Sequence, residues 1–225
     1  MRVFKKLLPS ANLYLVILKQ HAILIDTGDP RSKTKVLNFL KWNLNNKNLE
    51  YILITHSHWD HIGNVRFLKN IFSPRVLIGK REARWVRKGY IDVPRPKGTL
   101  YSIVLYNFLN FFSKFETIEK FKPDIEILEY DSIDIENKSI EIFPTPGHTP
   151  GSLTFKIEKW AFTGDTLLGP NPFIRRPRLS MFLHKREEIF KSIDFLKNLD
   201  VEIYFPGHGL PFTKKELYKF AKSPL

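Results

Sequence analysis

The feature that most constrains this chain is a recurrence. Five apolar, strand-like segments each end on a tight turn that carries a histidine or an aspartate. The segment ending at Ile25 hands over to Asp26 in the turn Thr27-Gly28-Asp29-Pro30. The segment ending at Thr55 runs straight into His56-Ser57-His58-Trp59-Asp60-His61. Phe143 leads through Pro144-Thr145-Pro146-Gly147 to His148, Thr163 through Gly164 to Asp165, and Phe205 through Pro206-Gly207 to His208. If the sheets are aligned, these turns gather at one edge, the carboxyl end of the strands, where open sheets usually form ligand sites.

The remaining elements fit that frame. Strands are also expected over 2–7, 12–18, 75–78, 125–130 and 152–157. Val36, Leu37, Leu40 and Leu44 share one face of a predicted helix over 32–44. A helix over 61–72 is stopped by Pro74, a basic helix covers 80–88, and an amphipathic helix covers 185–199. Thr213 and Glu216 form a capping box opening a last helix. Strands dominate both halves with helices between them, which predicts an α/β protein of two facing sheets with helices on the outer faces. The 225 residues suffice for one well-buried core, so a single domain spanning 1–225 is expected, with an insert at about 94–123. In that insert 10 of the 13 residues from Leu100 to Phe112 are apolar. A helix apolar nearly all round must be covered, so 100–115 is expected to be a lid or pocket wall, a homodimer contact, core, or a surface that meets lipid.

Spacing inside the first cluster divides its candidate ligands. Extended residues two apart point the same way, so His56 and His58 can grip one ion. Asp60 and His61 lie beyond the bend, at a helix start, and can face a second. His148 can complete the first set, His208 the second, and Asp165 can bridge them. Five of the 7 histidines fall in this pattern; His21 and His184 stand outside it and are read as surface or helix-end residues. With no cysteine, disulfides, thiolate zinc sites and cysteine nucleophiles are excluded. Imidazole and carboxylate donors suit zinc, iron, manganese or cobalt. Two such ions sharing a water bring its pKa from about 15.7 towards about 7, so attack by metal-bound hydroxide is expected.

Composition narrows the setting. The chain is 43% apolar and 14% aromatic, a globular balance. No apolar run approaches the roughly 18–20 residues of a membrane span, and no signal-peptide pattern opens the chain, so a cytoplasmic protein is expected. The formal charge of +13 fits either an anionic partner or a solvated basic surface. Lys80, Arg81, Arg84, Arg87 and Lys88 form one basic group, and Arg175, Arg176 and Arg178 another. The second follows Asp165 and is expected at the site's mouth, to hold a carboxylate or phosphate.

His56-Ser-His-Trp-Asp-His61 resembles the His-x-His-x-Asp-His signature of the metallo-β-lactamase superfamily. Thr145-Pro-Gly-His148-Thr-Pro-Gly151, Thr163-Gly-Asp165-Thr and Phe205-Pro-Gly-His208-Gly resemble its later motifs in the same order. The resemblance covers nearly the whole chain, with a texture similar to the glyoxalase II branch. It implies an αββα sandwich and a binuclear site, most often zinc, with His56, His58, Asp60, His61, His148, Asp165 and His208 as ligands. It also implies that Asp60 handles a proton and that Asp26 lies beneath the metal loop. The glycine- and cysteine-rich stretch of true glyoxalase II is missing after Asp165, and Leu168 stands where acyl-homoserine lactonases keep a tyrosine. The expected activity is therefore hydrolysis of a small ester-like molecule: a thioester, a lactone or a related acyl compound. Its alternatives are a mononuclear-iron oxidoreductase of the persulfide dioxygenase type and a phosphodiesterase or nuclease. A small-molecule partner is expected, anionic if the basic groups serve it, and nucleic acid is not.

Overall fold

The computed structural model describes residues 1–90, 104 and 118–222. One six-stranded sheet contains β1 (Arg2–Leu7), β2 (Asn12–Ile17), β3 (His21–Ile25), β4 (Asn48–Leu53), β5 (Arg75–Gly79) and β6 (Ile125–Ile127), hydrogen-bonded in that order. The first two pairings are antiparallel and the next three parallel. The second six-stranded sheet contains β7 (Asp131–Ile135), β8 (Lys138–Pro144), β9 (Leu153–Ile157), β10 (Trp160–Gly164), β11 (Ile203–Pro206) and β12 (Phe212–Thr213), again neighbours in sequence order. There the β10–β11 pairing is the parallel one. Helices α1 (Lys33–Leu44), α2 (Trp59–Ile62), α3 (Val65–Phe72) and α4 (Lys80–Lys88) fall in the first half, α5 (Arg186–Asn198) and α6 (Lys214–Lys222) in the second.

The period of two in the strands produces the layers. In β2, Leu13, Leu15 and Ile17 pack with Val36 and Leu40 of α1, Leu68 of α3 and Val86 of α4. Their alternates Tyr14 and Val16 pack across to Ile140 and Ile142 of β8 and to Phe155 and Phe162 of the same sheet. β3, β4 and β5 split in the same way, with Leu24, Ile52 and Val76 on the helix side and Ile23, Leu53 and Leu77 between the sheets. The second sheet turns Ala161 and Tyr204 outward onto Ile189, Ile193 and Leu196 of α5 and Leu217 of α6. Strands buried on both faces read as continuous apolar runs, and that is why β2 to β5 do. The order of layers is helices, sheet, sheet, helices, the expected αββα sandwich.

Several elements differ from expectation. The helix expected over 61–72 is two, α2 and α3, separated by Gly63 and Asn64. A Cβ on Gly63 would lie 2.5 Å from the backbone nitrogen of Pro30, so the break lets the two loops touch. The strand expected over 125–130 ends at Ile127. β7 was not expected at all: its Asp131, Ser132 and Asp134 are exposed because it is the second sheet's edge. The expected helix over 100–115 lies outside the described residues, apart from the exposed Val104. Ile118 and Phe121, just beyond it, are buried in the helix-side core.

Candidate metal centre

Every candidate ligand sits on a turn that leaves the carboxyl end of a strand. β4 delivers His56, His58, Asp60 and His61, β8 delivers His148, β10 delivers Asp165 and β11 delivers His208. These turns meet at one edge of the sandwich. Three groups of side chains could each hold an ion, with ligand atoms within 4.8 Å of one another: His56, His58 and His148; His56, His61 and Asp165; Asp60, His61 and His208. Asp165 lies between the outer two groups, with Oδ2 3.7 Å from His148 Nε2 and 3.2 Å from His208 Nε2. Asp60 Oδ2 is 3.4 Å from His208 Nε2. His21 and His184 stay apart from the cluster: His21 pairs with Glu136, and the His184 amide donates to the His148 carbonyl.

The second nitrogen of most of these rings is already engaged, which fixes what the first presents. His61 Nδ1 donates to Asp26 Oδ2 at 2.8 Å and His148 Nδ1 to the Phe182 carbonyl at 2.7 Å. Thr55 Oγ1 donates to Asp26 Oδ2 at 2.8 Å and lies 3.1 Å from His56 Nδ1, whose proton it accepts. His56 and His148 therefore turn an unprotonated Nε2 inward, and His61 turns its Nε2 the same way. His56 Nε2 and His148 Nε2 lie 3.0 and 3.1 Å from His58 Nδ1. Three basic nitrogens this close suit a shared cation. His61 Nε2 and Asp165 Oδ1 are buried without a hydrogen-bond partner. Buried polar atoms rarely stay unpaired, and an imidazole lone pair beside a carboxylate oxygen is a fitting donor set for a divalent metal.

Electrostatics divide the cluster. Burial, then the neighbouring imidazoles, hold His56 well below its ordinary 6.5. Burial and His148 push His58 down to about 3, and burial pushes His148 down to about 4. This side offers neutral lone pairs. Burial opposes charge on His61 too, but Asp26, Asp60 and Asp165 outweigh it and lift that ring to about 10. His208 is raised against its burial by Asp165 and Asp60. Burial acts to raise Asp165, yet His208, His61 and His148 keep it below the usual carboxylate range. That side attracts positive charge, which an ion supplies as well as a proton does.

The family model described as the metallo-beta-lactamase superfamily matches residues 8–208. This chain belongs to that superfamily. Relatives of this metallo-beta-lactamase superfamily member include a probable metallo-hydrolase of Methanocaldococcus jannaschii, 29% identical over 89% of this chain and 88% of its own. A probable polyketide biosynthesis zinc-dependent hydrolase of Bacillus subtilis is 27% identical over 92% of this chain and 72% of its own. Among solved structures, the B3 metallo-beta-lactamase BLEG-1 superposes with a TM-score of 0.75 at 23% identity, covering 99% of this chain and 100% of that one. The chain is thus a metallo-hydrolase of the superfamily.

Around the cluster, this superfamily member carries supports, of which Asp26 was expected from the sequence and Asn12, Asn64 and Glu82 were not. Asp26 takes a left-handed φ of 58°; its Oδ1 accepts the Thr55 amide at 2.8 Å while Oδ2 holds His61. Asn64 Nδ2 donates to the carbonyls of Thr27 and Asp29, both at 2.8 Å. Asn12 Nδ2 and the Tyr14 hydroxyl both donate to the Pro206 carbonyl, at 2.9 and 2.6 Å, tying the first sheet to the His208 turn. Glu82, fully buried on the otherwise basic α4, accepts the Ser57 amide at 2.5 Å and the Gly151 amide at 3.1 Å. It clamps the His56–His58 loop to the loop that follows His148. Burial pushes its carboxyl pKa up against those hydrogen bonds.

A cleft of about 910 Å³ opens onto the cluster and is lined by His58, Asp60, His148, Asp165 and His208. Of the second basic group, Arg178 lines it and gives Nη1 to the Gly169 carbonyl at 2.7 Å. Arg175 and Arg176 are exposed and are not among the lining residues. The mouth's other cations are Arg31 and Lys35, neither of which stands out in the sequence.

Proposed function

We propose that the chain hydrolyses a small ester-like substrate, a thioester, lactone or related acyl compound, with two divalent ions, most readily zinc. His56, His58 and His148 would hold one ion and Asp60, His61 and His208 the other, with Asp165 between them. The observation that carries the reading is the convergence of these seven side chains, five of which line one cleft. When bound, the ions supply a water of lowered pKa and polarise the substrate carbonyl. The chain's own part is arrangement. Asp26 and the Phe182 carbonyl hold His61 and His148 in one tautomer. Asp60 is 13% exposed at its side chain, faces the cleft and is placed to pass a proton between water and the leaving group. The substrate class draws support from two relatives: the zinc-dependent hydrolase of polyketide biosynthesis named above, and an atrochrysone carboxyl ACP thioesterase of Aspergillus fumigatus. The latter is 24% identical over 90% of this chain and 51% of its own length.

The test is metal analysis together with turnover. Protein purified from metal-supplemented medium is expected to carry about two zinc equivalents. It should cleave members of a thioester and lactone panel and lose that activity on chelation. Asp165→Ala should lose metal and activity together. Less than about half an equivalent of any metal after such loading would defeat the reading. Cleavage confined to bis-p-nitrophenyl phosphate would move it to phosphodiesters.

A further inference from the structure

The cleft has two unlike walls. One is mainly apolar, built from Leu168, Ile174, Leu179, Met181 and Phe182 of the segment between β10 and α5, with that segment's Arg178 bonded to the Gly169 carbonyl. The other belongs to the first sheet's side. There the turn Pro30–Ser32 runs into α1 and brings Arg31 and Lys35 to the same cleft. Arg31 reaches it from the turn and Lys35 from the first turn of α1. The Arg31 guanidinium lies 5.9 Å over the Trp59 ring, with its side chain 72% exposed. Among the described residues, the Asp29 carboxylate lies on this wall and its oxygens are engaged: Oδ1 accepts the Arg31 amide at 3.0 Å, and Oδ2 accepts Ser10 Oγ at 2.5 Å and Ser32 Oγ at 2.6 Å. Arg31 Nε sits 3.9 Å from that carboxylate, which steadies the guanidinium at the cleft's edge. The first turn of α1 has no acidic residue, and Ser32 gives it no side-chain cap, so the helix dipole adds to the positive field.

We propose that Arg31 and Lys35 form a subsite for an anionic group, a carboxylate or phosphate, carried on the leaving part of the substrate, while the apolar wall takes the acyl chain. The assignment rests on the hydrolase reading above. In that reaction the reacting carbon lies over the ligand cluster, so the two parts it joins point to different walls. Water oxygen bonds to the acyl carbon, the carbon–sulfur or carbon–oxygen bond breaks, and the leaving thiol or alcohol takes the proton. An acyl chain suits the apolar wall, and the leaving part then meets the two cations. Planar guanidinium and mobile ammonium together suit either oxyanion.

The experiment uses matched compounds on the zinc-loaded protein. S-hexanoyl thioglycolate carries a carboxylate, S-hexanoyl 2-mercaptoethyl phosphate a phosphate, and S-hexanoyl thioglycolamide neither. The corresponding S-hexyl thioethers, which cannot be hydrolysed, are titrated by calorimetry. An anionic compound should show KM and Kd about tenfold below the amide, and the tighter of the two anions names the oxyanion. Arg31→Gln with Lys35→Gln should bring that ratio to within about twofold, while Arg31→Lys with Lys35→Arg should keep most of it. Each single Gln variant, losing about half the effect, serves if the double variant fails to fold. Equal Kd for charged and neutral thioethers overturns the proposal. So does a ratio that survives in the folded Gln double variant, because the ions alone would then account for it. If no thioester is cleaved but the thioether ratio behaves as expected, acyl hydrolysis fails and the anion subsite stands. Turnover without charge preference leaves acyl hydrolysis standing and overturns the subsite.

Discussion

Replacing Glu82 tests whether the candidate centre is held from behind. Glu82→Ala removes the acceptor of two buried amides, those of Ser57 and Gly151. A buried donor left unpaired costs about 1–3 kcal/mol. Two of them, with the cavity left by the shortened side chain, put the loss at about 3–6 kcal/mol. The neighbours have little room to close in: a Cβ on Gly151 would already lie 2.7 Å from Glu82 Cγ, and one on Gly79 would lie 2.1 Å from the Gly151 carbonyl oxygen. Glu82→Gln keeps the volume and one acceptor but turns an NH₂ towards an N–H, so about 1–3 kcal/mol is expected. Urea denaturation of the metal-free proteins measures both. A second readout separates positioning from plain stability. Because Glu82 ties the loop of His56 and His58 to the loop after His148, both variants should also weaken zinc binding, measured by chelator competition below the unfolding transition. An Ala variant within about 1 kcal/mol of wild type would refute the hydrogen-bond reasoning. An Ala variant that is destabilised yet binds zinc with wild-type affinity would refute the clamp.

Two further changes probe other joints. A Cβ on Gly207 would lie 2.3 Å from Asp165 Oδ1 and 2.7 Å from His61 Cε1. Gly207→Ala should therefore cost about 1–3 kcal/mol by overpacking and lower zinc stoichiometry, read by denaturation and metal analysis; unchanged values for both would contradict the packing. Glu136 accepts the amides of Gln20, Lys19 and His21, with Gln20 the leading cause, and its carboxyl falls from the ordinary 4.5 to about 2. A depressed acid contributes stability that is present above its unfolded pKa and lost as pH falls towards the folded one. The melting-temperature gap between wild type and Glu136→Gln should accordingly be largest above about pH 5 and close towards about pH 2; a gap that grows on acidification would reverse the assignment.

The candidate ligands were legible because each is local. An apolar strand followed by a turn with Gly or Pro and a His or Asp is a pattern within about ten residues, and alignment of the sheets does the rest. The paired layers were legible for the same reason, since β2 to β5 are apolar on both faces. What stayed hidden depends on register between distant segments. Glu82 reads as one acid in a basic helix until β5 ends beside Gly151, 69 positions away. Asn12 meets the His208 turn across 194 positions, and Asn64 finds Thr27 and Asp29 because Gly63 lets two loops touch. β7 escaped because an edge strand solvates one face and needs no apolar run.

The same distinction bears on specificity. Side chains that would bind metal are fixed by strand ends and therefore by the sandwich. The cleft's walls come instead from connections: the turn before α1 and the long segment from β10 to α5. Connections tolerate replacement without disturbing the sheets. Arg31 and Lys35 on one side, and Leu168 to Phe182 on the other, can therefore change independently of the seven ligands. On the proposed reading, the cluster would activate water, whereas the charge and apolarity of these two connections would decide which compound is brought to it. Substrate discrimination should follow substitutions in 31–35 and 168–182 more closely than any change that leaves those segments alone.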